Sequence, residues 1–420
     1  MTDLVDELEW RGLIAQSSGL DALREALSSG PITYYCGFDP TAPSLHHGHL
    51  VQLILLRHLQ LAGHNPIALV GGATGMIGDP RMSGERTLNP KEVVAEWTER
   101  LRQQIEPFLT FDGENAARMV NNLDWTSELT AIDLLRDIGK HFRLGTMLAK
   151  DTVARRLESD EGMSFTEFSY SLLQANDFRE LYHRYGCSLQ TGGNDQWGNL
   201  VAGLDMIRKA DGEPVHVLTT PLITKSDGTK FGKTEGGAVW LAPDMMSPYD
   251  FFQFWLNTDD ADVVGYLKTF TFLDREKIAR LEAAVAERPF AREAQRTLAR
   301  EVTTLVHGAV AMADVEAAAA ALFGSTDPRK VDAAALADAV AHLPSGTVSV
   351  GETSMVDLII AVGLEQGRSA ARRMIADGGA YLNNTKILDE DAVLADADLI
   401  SGEFVLVRRG KKKLAVGRIG

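Results

Sequence analysis

Cysteine is nearly absent: Cys36 and Cys187 are the only two in 420 residues. Two thiols cannot build a disulfide framework, so a reducing, cytoplasmic setting is expected. No uninterrupted apolar run reaches the roughly 18 residues that cross a bilayer, and no membrane partner is expected. The opening Met1-Thr2-Asp3-Leu4-Val5-Asp6-Glu7 is acidic and lacks the basic-then-apolar layout of a secretory signal. Positive charge is in deficit, with 42 Lys and Arg against 58 Asp and Glu and a net charge of −16. That balance opposes bulk attraction to a phosphate backbone, and no DNA partner is expected. The deficit is not uniform. Arg408, Arg409, Lys411, Lys412, Lys413 and Arg418 crowd the C-terminal end, with no acid after Glu403. A basic end on an acidic chain points to polyanion contact there, or else to a solvated tail.

What is present is the balance of an ordinary globular protein, 45% hydrophobic and 24% charged. The length predicts two or three domains. Residues 32–38 (ITYYCGF) read as a strand, 48–62 as a helix ended by Gly63, and 66–70 (PIALV) as a second strand running into GGATGMIGD. This strand–helix–strand order predicts a βαβ unit and a parallel sheet. A helix is expected over 164–185, opened by a Ser164/Glu167 capping box. A strand over 187–192 and a helix over 198–210 follow. Residues 247–323 read as helical. The turn-rich stretch 326–352 is expected as a linker, and 353–420 as a separate helix–helix–strand unit.

Four stretches carry chemistry. In Asp39-Pro40-Thr41-Ala42-Pro43-Ser44-Leu45-His46-His47-Gly48-His49, a strand ends and a His-x-Gly-His sequence opens a helix. Free N–H groups and the helix dipole favour anions there, which suits ATP phosphates. A surface His cluster or a metal site are the alternatives, and no further ligand spacing accompanies it. Lys230-Phe231-Gly232-Lys233-Thr234 places two flexible point charges on a Gly-flanked loop, able to follow a moving pyrophosphate, or simply solvated. Tyr170, Gln174 and Asp177 share one helix face amid apolar residues, and must find hydrogen-bond partners in protein or ligand unless the face meets water. Gln190-Thr191-Gly192-Gly193-Asn194-Asp195-Gln196-Trp197-Gly198-Asn199 follows a strand; its glycines permit close approach, and an acid there can accept from ribose hydroxyls.

His-x-Gly-His and Lys-Phe-Gly-Lys-Thr are variants of the HIGH and KMSKS signatures of class I aminoacyl-tRNA synthetases. Together with Tyr35-Cys36-Gly37-Phe38-Asp39-Pro40-Thr41, Gly71-Gly72-Ala73-Thr74-Gly75, Ser169-Tyr170 and Gly193-Asn194-Asp195-Gln196-Trp197-Gly198-Asn199, they make nearly the whole chain resemble the bacterial tyrosyl-tRNA synthetases. The resemblance implies an α/β fold: a Rossmann-type parallel-sheet catalytic domain (1–225), an α-helical anticodon-binding domain with the KMSKS-like loop (226–325), and a small αL RNA-binding domain (353–420). It implies L-tyrosine, ATP with Mg²⁺ and tRNA(Tyr) as partners, no tightly bound protein-ligated metal, and a homodimer. Tyr35 and Asp177 resemble the pair that reads the substrate phenol. Asp79, Tyr170 and Gln174 resemble the amino-group site, with Asp39 nearby, and Gln196 faces the carboxylate. Cys36, Gly37, Gly48, His49, Gly193 and Asp195 resemble the ATP contacts. Thr41 and His46 grip the γ-phosphate side, and Arg86, Lys230, Lys233 and Thr234 the pyrophosphate. Arg368, Arg372, Arg408, Arg409, Lys411, Lys412 and Lys413 are the expected tRNA contacts. The chain departs from the pattern at His47, usually apolar or small; at Gln52, where some relatives carry a Thr near the ribose; and in a short 79–86 loop lacking a lysine, for which Arg81 is the replacement candidate. A different nucleotidyl-transferring enzyme, a non-catalytic RNA-binding protein and a tryptophanyl enzyme are the competing readings. The first is opposed by the C-terminal unit, the second by the intact histidines and lysines, the third by the Tyr35–Asp177 pair.

Overall fold

The computed structural model describes residues 3–81, 84, 88–160, 162–229, 231–232, 237–322, 326–410 and 413–420. The chain forms two compact units, one of Met1–Met245 with Thr258–Leu298, the other of Met246–Asn257 with Ala299–Gly420. The borders expected at 225, 325 and 352 are not among these crossings.

The first unit holds a six-stranded sheet of β1 (Gln16–Ser17), β2 (Thr33–Phe38), β3 (Asn65–Val70), β4 (Arg118–Asn121), β5 (Cys187–Gly193) and β6 (His216–Thr220), in the order β1-β6-β5-β2-β3-β4. Every pairing is parallel except that of the short edge strand β1 with β6. Helices cover both faces of such a sheet, so its strands are apolar throughout: Tyr34, Tyr35, Cys36 and Phe38 are all buried. From the central β2 the chain runs outward through β3 and β4, then returns to lay β5 and β6 on the other side. The reversal between β2 and β5 opens a crevice at the strands' carboxyl ends, where ligands bind in open α/β sheets.

The helix Phe165–Tyr185 starts as expected, with the Ser164 side chain accepting from the Glu167 backbone N–H. The other half of the predicted capping box is not made. The Glu167 carboxylate turns instead to Arg156, and both side chains are at most 3% exposed. Arg156 also donates to the carbonyls of Arg81 and Gly162, so its guanidinium is fully used. Truncation leaves an uncompensated buried carboxylate, so Arg156→Ala should cost about 3–5 kcal/mol. A lowered urea midpoint at unchanged slope is the readout; an unshifted midpoint would remove Arg156 from the core.

The second unit carries a five-stranded sheet of β7 (Ser345–Val348), β8 (Ala380–Leu382), β9 (Thr385–Lys386), β10 (Phe404–Arg409) and β11 (Lys413–Ile419), in the order β7-β11-β10-β8-β9. One face packs on Val356, Leu358, Ile359 and Met374, the other on Ala318, Leu322, Leu336 and Val340. The linker expected over 326–352 therefore needs correcting. It contains a helix, Ala333–Val340, capped by Asp332, and the strand β7, parallel to β11. Its Leu336 and Val340 are fully buried. Pro289–Leu322, although interrupted by charged residues, is long and apolar enough to cross a membrane by length and composition alone. Its helix changes direction at Gly308, whose φ of 86° breaks the regular winding, and Val302, Val315 and Ala318 are buried within the protein.

Candidate functional site

Four elements converge on the crevice: the ends of β2, β3 and β5, and the start of the helix His47–Leu61. His46 is that helix's N-cap. Its Nδ1 accepts from the Gly48 N–H at 3.0 Å, and the His49 Nδ1 accepts from the His46 N–H at 3.2 Å. Two imidazoles thus form a reciprocal capping box, with rings stacked at 4.0 Å. An Nδ1 that accepts leaves the proton on Nε2, so each ring offers an N–H donor. Burial lowers the pKa of His46, and burial with the neighbouring His46 and His47 lowers that of His49 well below the usual range. Both rings are neutral at pH 7, donors without net charge.

The other half of the site is a continuous hydrogen-bonded chain. Tyr170 donates to Asp39 at 2.6 Å, and Thr74 donates to the other Asp39 oxygen at 2.6 Å. Asn122 donates to Thr74 at 2.9 Å and to Asp177 at 3.0 Å, and the Trp125 indole N–H reaches Asp177 at 2.8 Å. The turn after β3 must be glycine for this to close: a Cβ on Gly71 would collide with Asp39 and Thr74. Burial outweighs the two donors and pushes the Asp177 carboxyl up to about 7. Burial, with Asp177 nearby, raises the Tyr35 phenol well above its usual value. The Tyr35 hydroxyl and the Gln174 Oε1 are buried with no hydrogen-bond partner among the described residues. Buried polar atoms are rarely left so, and a ligand's polar groups are the natural complement. Asp79 accepts from Gln196 and Asn199, each at 2.8 Å.

Asp195 and Thr41 are exposed beyond the ends of β5 and β2, and Gly37 leaves β2 open to solvent. Cys36 is buried, its thiol pushed up to about 12 by burial, and it points to Gln52. Gln52 in turn donates to Thr220 at 2.6 Å in the interior, which makes it a packing residue. Arg81 is exposed. Arg86, Lys230, Lys233, Thr234, Lys411 and Lys412 lie outside the described residues.

In the second unit, Arg368 pairs with Asp357, Arg372 with Glu390 and Arg409 with Glu365. These pairs are solvent-exposed on the arginine side and weak enough to exchange for phosphate. Lys413 is exposed at the start of β11. Arg408 is not a surface cation. It is 9% exposed, with its guanidinium 4.1 Å from the Tyr381 ring centroid.

The sequence reading did not single out Asn122, Trp125 or Lys150, and named Asn199 only as the end of the 190–199 stretch, with no role. Asn122 and Trp125 sit in an unremarkable NNLDW stretch, and only the pairing of β4 with β3 carries them to Asp177. Lys150 is half-buried, 3.4 Å from the Asn199 side chain, and burial lowers its pKa against the pull of Asp79.

Known proteins resemble this chain along most of its length. A family model described as tRNA synthetases class I (W and Y) matches residues 27–324, and one described as the tyrosine–tRNA ligase SYY-like C-terminal domain matches 335–416. A tyrosine–tRNA ligase of Streptomyces coelicolor is 62% identical, over 100% of this chain and 99% of that protein. Among solved structures, the C-terminally truncated mitochondrial tyrosyl-tRNA synthetase of Aspergillus nidulans superposes with a TM-score of 0.70 at 31% identity, over 77% of this chain and 95% of that one. Its Coccidioides posadasii counterpart gives 0.67 at 33%, over 75% and 91%.

Proposed function

The chain belongs to the class I aminoacyl-tRNA synthetases as a tyrosine–tRNA ligase, and we propose that the crevice between β2 and β5 is where it activates tyrosine. The carrying observation is the orphaned Tyr35 hydroxyl beside the buried carboxylate of Asp177. A phenol placed there donates to Asp177 and accepts from Tyr35. Asp79, Gln174 and Tyr170 take the substrate ammonium, and Gln196 its carboxylate. The carboxylate attacks the α-phosphorus of ATP, releasing pyrophosphate, and a terminal ribose hydroxyl of tRNA(Tyr) then attacks the tyrosyl carbonyl. No covalent enzyme intermediate is required. The neutral His46 and His49 donate to phosphate oxygens as charge builds, with the ribose on Asp195 and Gly193, Cys36 acting only through packing, and Thr41, Arg86, Lys230, Lys233 and Thr234 around the pyrophosphate. No cluster of three metal-ligating side chains occurs among the described residues. Mg²⁺ would be held by the nucleotide's own oxygens and water, neutralising phosphate charge. The tRNA lies along Arg368, Arg372, Arg409 and Lys411–Lys413, and the enzyme works in the cytoplasm.

Amino-acid-dependent ATP–pyrophosphate exchange with the standard amino acids is the test. Exchange with L-tyrosine alone is expected; exchange with tryptophan and none with tyrosine would overturn the substrate.

A homodimer is part of the proposal. Ile132, Leu135, Leu144, Leu148, Leu157 and Phe165 are all between 44% and 73% exposed, within one stretch of the first unit. Such apolar concentration marks a protein interface. The pair Leu144→Asp and Phe165→Asp should shift the protein from dimer to monomer in sedimentation velocity. An unchanged mass would move the interface elsewhere.

A further inference from the structure

The departure at the second HIGH position acquires a partner in the structure. His47 donates its backbone N–H to the Val239 carbonyl at 3.0 Å, and Leu241 donates to Leu45 at 2.9 Å. The segment leaving the lysine-bearing loop is thus tied to the stretch that opens the HIGH helix. The loop's earlier part is closed by Lys225 to Thr229 at 2.9 Å and held by the Ser226 N–H on Asp262 at 2.7 Å. Between these anchors lie Phe231 and Gly232, the two residues that separate Lys230 from Lys233. Phe231 packs edge-on against the His47 ring at 5.2 Å and against Tyr266 at 4.6 Å. The Phe231 backbone also lies close enough to the His47 imidazole to act on it electrostatically, against the burial that lowers the ring's pKa. Gly232 has a φ of 78°, and a Cβ built on it would run into the His47 ring.

We propose that His47 is a positioning residue: its imidazole seats Phe231 and Gly232, the residues between Lys230 and Lys233 in sequence, against the helix that carries His46 and His49. It touches no substrate. The side chain lies between the two signature sequences, and a small residue there could not supply the ring that Phe231 packs against. This inference rests on the activity proposed above.

The test is a double-mutant cycle on the full chain, with tyrosine-dependent pyrophosphate exchange and tyrosine binding by equilibrium dialysis as the two readouts. His47→Ala should lower kcat about tenfold or more, because small displacements of positioned groups are costly. The KM for tyrosine and the dialysis Kd should stay within about twofold, since that pocket is not involved. Gly232→Ala should lower kcat further. The double variant should be no slower than Gly232→Ala alone, because removing the imidazole makes room for the added methyl. Unchanged kcat in His47→Ala, or a double variant equal to the product of the singles, would overturn the proposal. Lost tyrosine binding in His47→Ala would do so too, by showing a merely structural role. A wild-type chain without tyrosine-dependent exchange would instead sink the activity on which the proposal stands.

Discussion

Asp177→Asn is expected to lower tyrosine activation by roughly a hundredfold while leaving phenylalanine nearly untouched, so that the preference between them shrinks by the same factor. The carboxylate is held by Asn122 and Trp125, whose donors remain after the substitution. An asparagine amide must turn either its oxygen or its NH₂ to those donors and cannot accept from both as the two carboxylate oxygens do. What is lost is the charged acceptor for the substrate hydroxyl, whereas a phenyl ring had nothing to donate. Steady-state exchange with the two amino acids measures the ratio; an unchanged ratio would show that Asp177 does not read the phenol.

The same residue sets a pH dependence. Its folded carboxyl is raised to about 7 from an ordinary 3.8. A raised carboxyl contributes stability that is fully present below the unfolded value and is lost as pH rises through the folded one. Above about pH 7 the empty pocket therefore holds a costly charge, and a phenol donor relieves it. Tyrosine affinity should accordingly rise as pH increases through about 7, and the extra thermal stability conferred by tyrosine should rise with it. In Asp177→Asn both profiles should be flat over that window. Equilibrium dialysis and melting curves across it, with and without tyrosine, are decisive.

His46 gives the second large effect, and one choice of substitution separates its two jobs. His46→Ala removes the cap and the Nε2–H donor together. His46→Asn removes the donor but supplies one of the better capping side chains, so it should recover about 1 kcal/mol of stability relative to alanine. Both should lose about 10²–10³ in kcat, the usual cost of a donor aimed at developing charge. Recovery of activity by asparagine along with stability would mean that His46 acts only by shaping the helix start.

These two residues also show how much could be read in advance. His46 was legible as part of a sequence that opens a helix, a local pattern, but that its own ring caps the helix was not. Asp177 was legible as a member of a polar face amid apolar neighbours, but its partners were not. Asn122 and Trp125 reach it only through β4, whose RMVN sequence has no strand pattern worth trusting and is settled by pairing with β3. The failure at β7 is of the same kind. Ser345-Gly346-Thr347-Val348 has the composition of a turn, and what makes it a strand is β11, far along the chain. The Glu167 half of the capping box failed because a buried arginine competes better for the carboxylate than a backbone N–H does.

The central position of β2 has a consequence for how the molecule is made. Its register joins Tyr35 to Ile67 on one side and to Gln190 on the other. During synthesis the first of these neighbours arrives early and the second late. A nascent chain that has emerged only through the helix Phe165–Tyr185 can assemble β2, β3 and β4, but it displays one bare apolar edge along Tyr34, Tyr35 and Cys36. Such an edge is a template for any passing strand. The strand at the centre of the sheet is thus, for the span of its translation, open to mispairing.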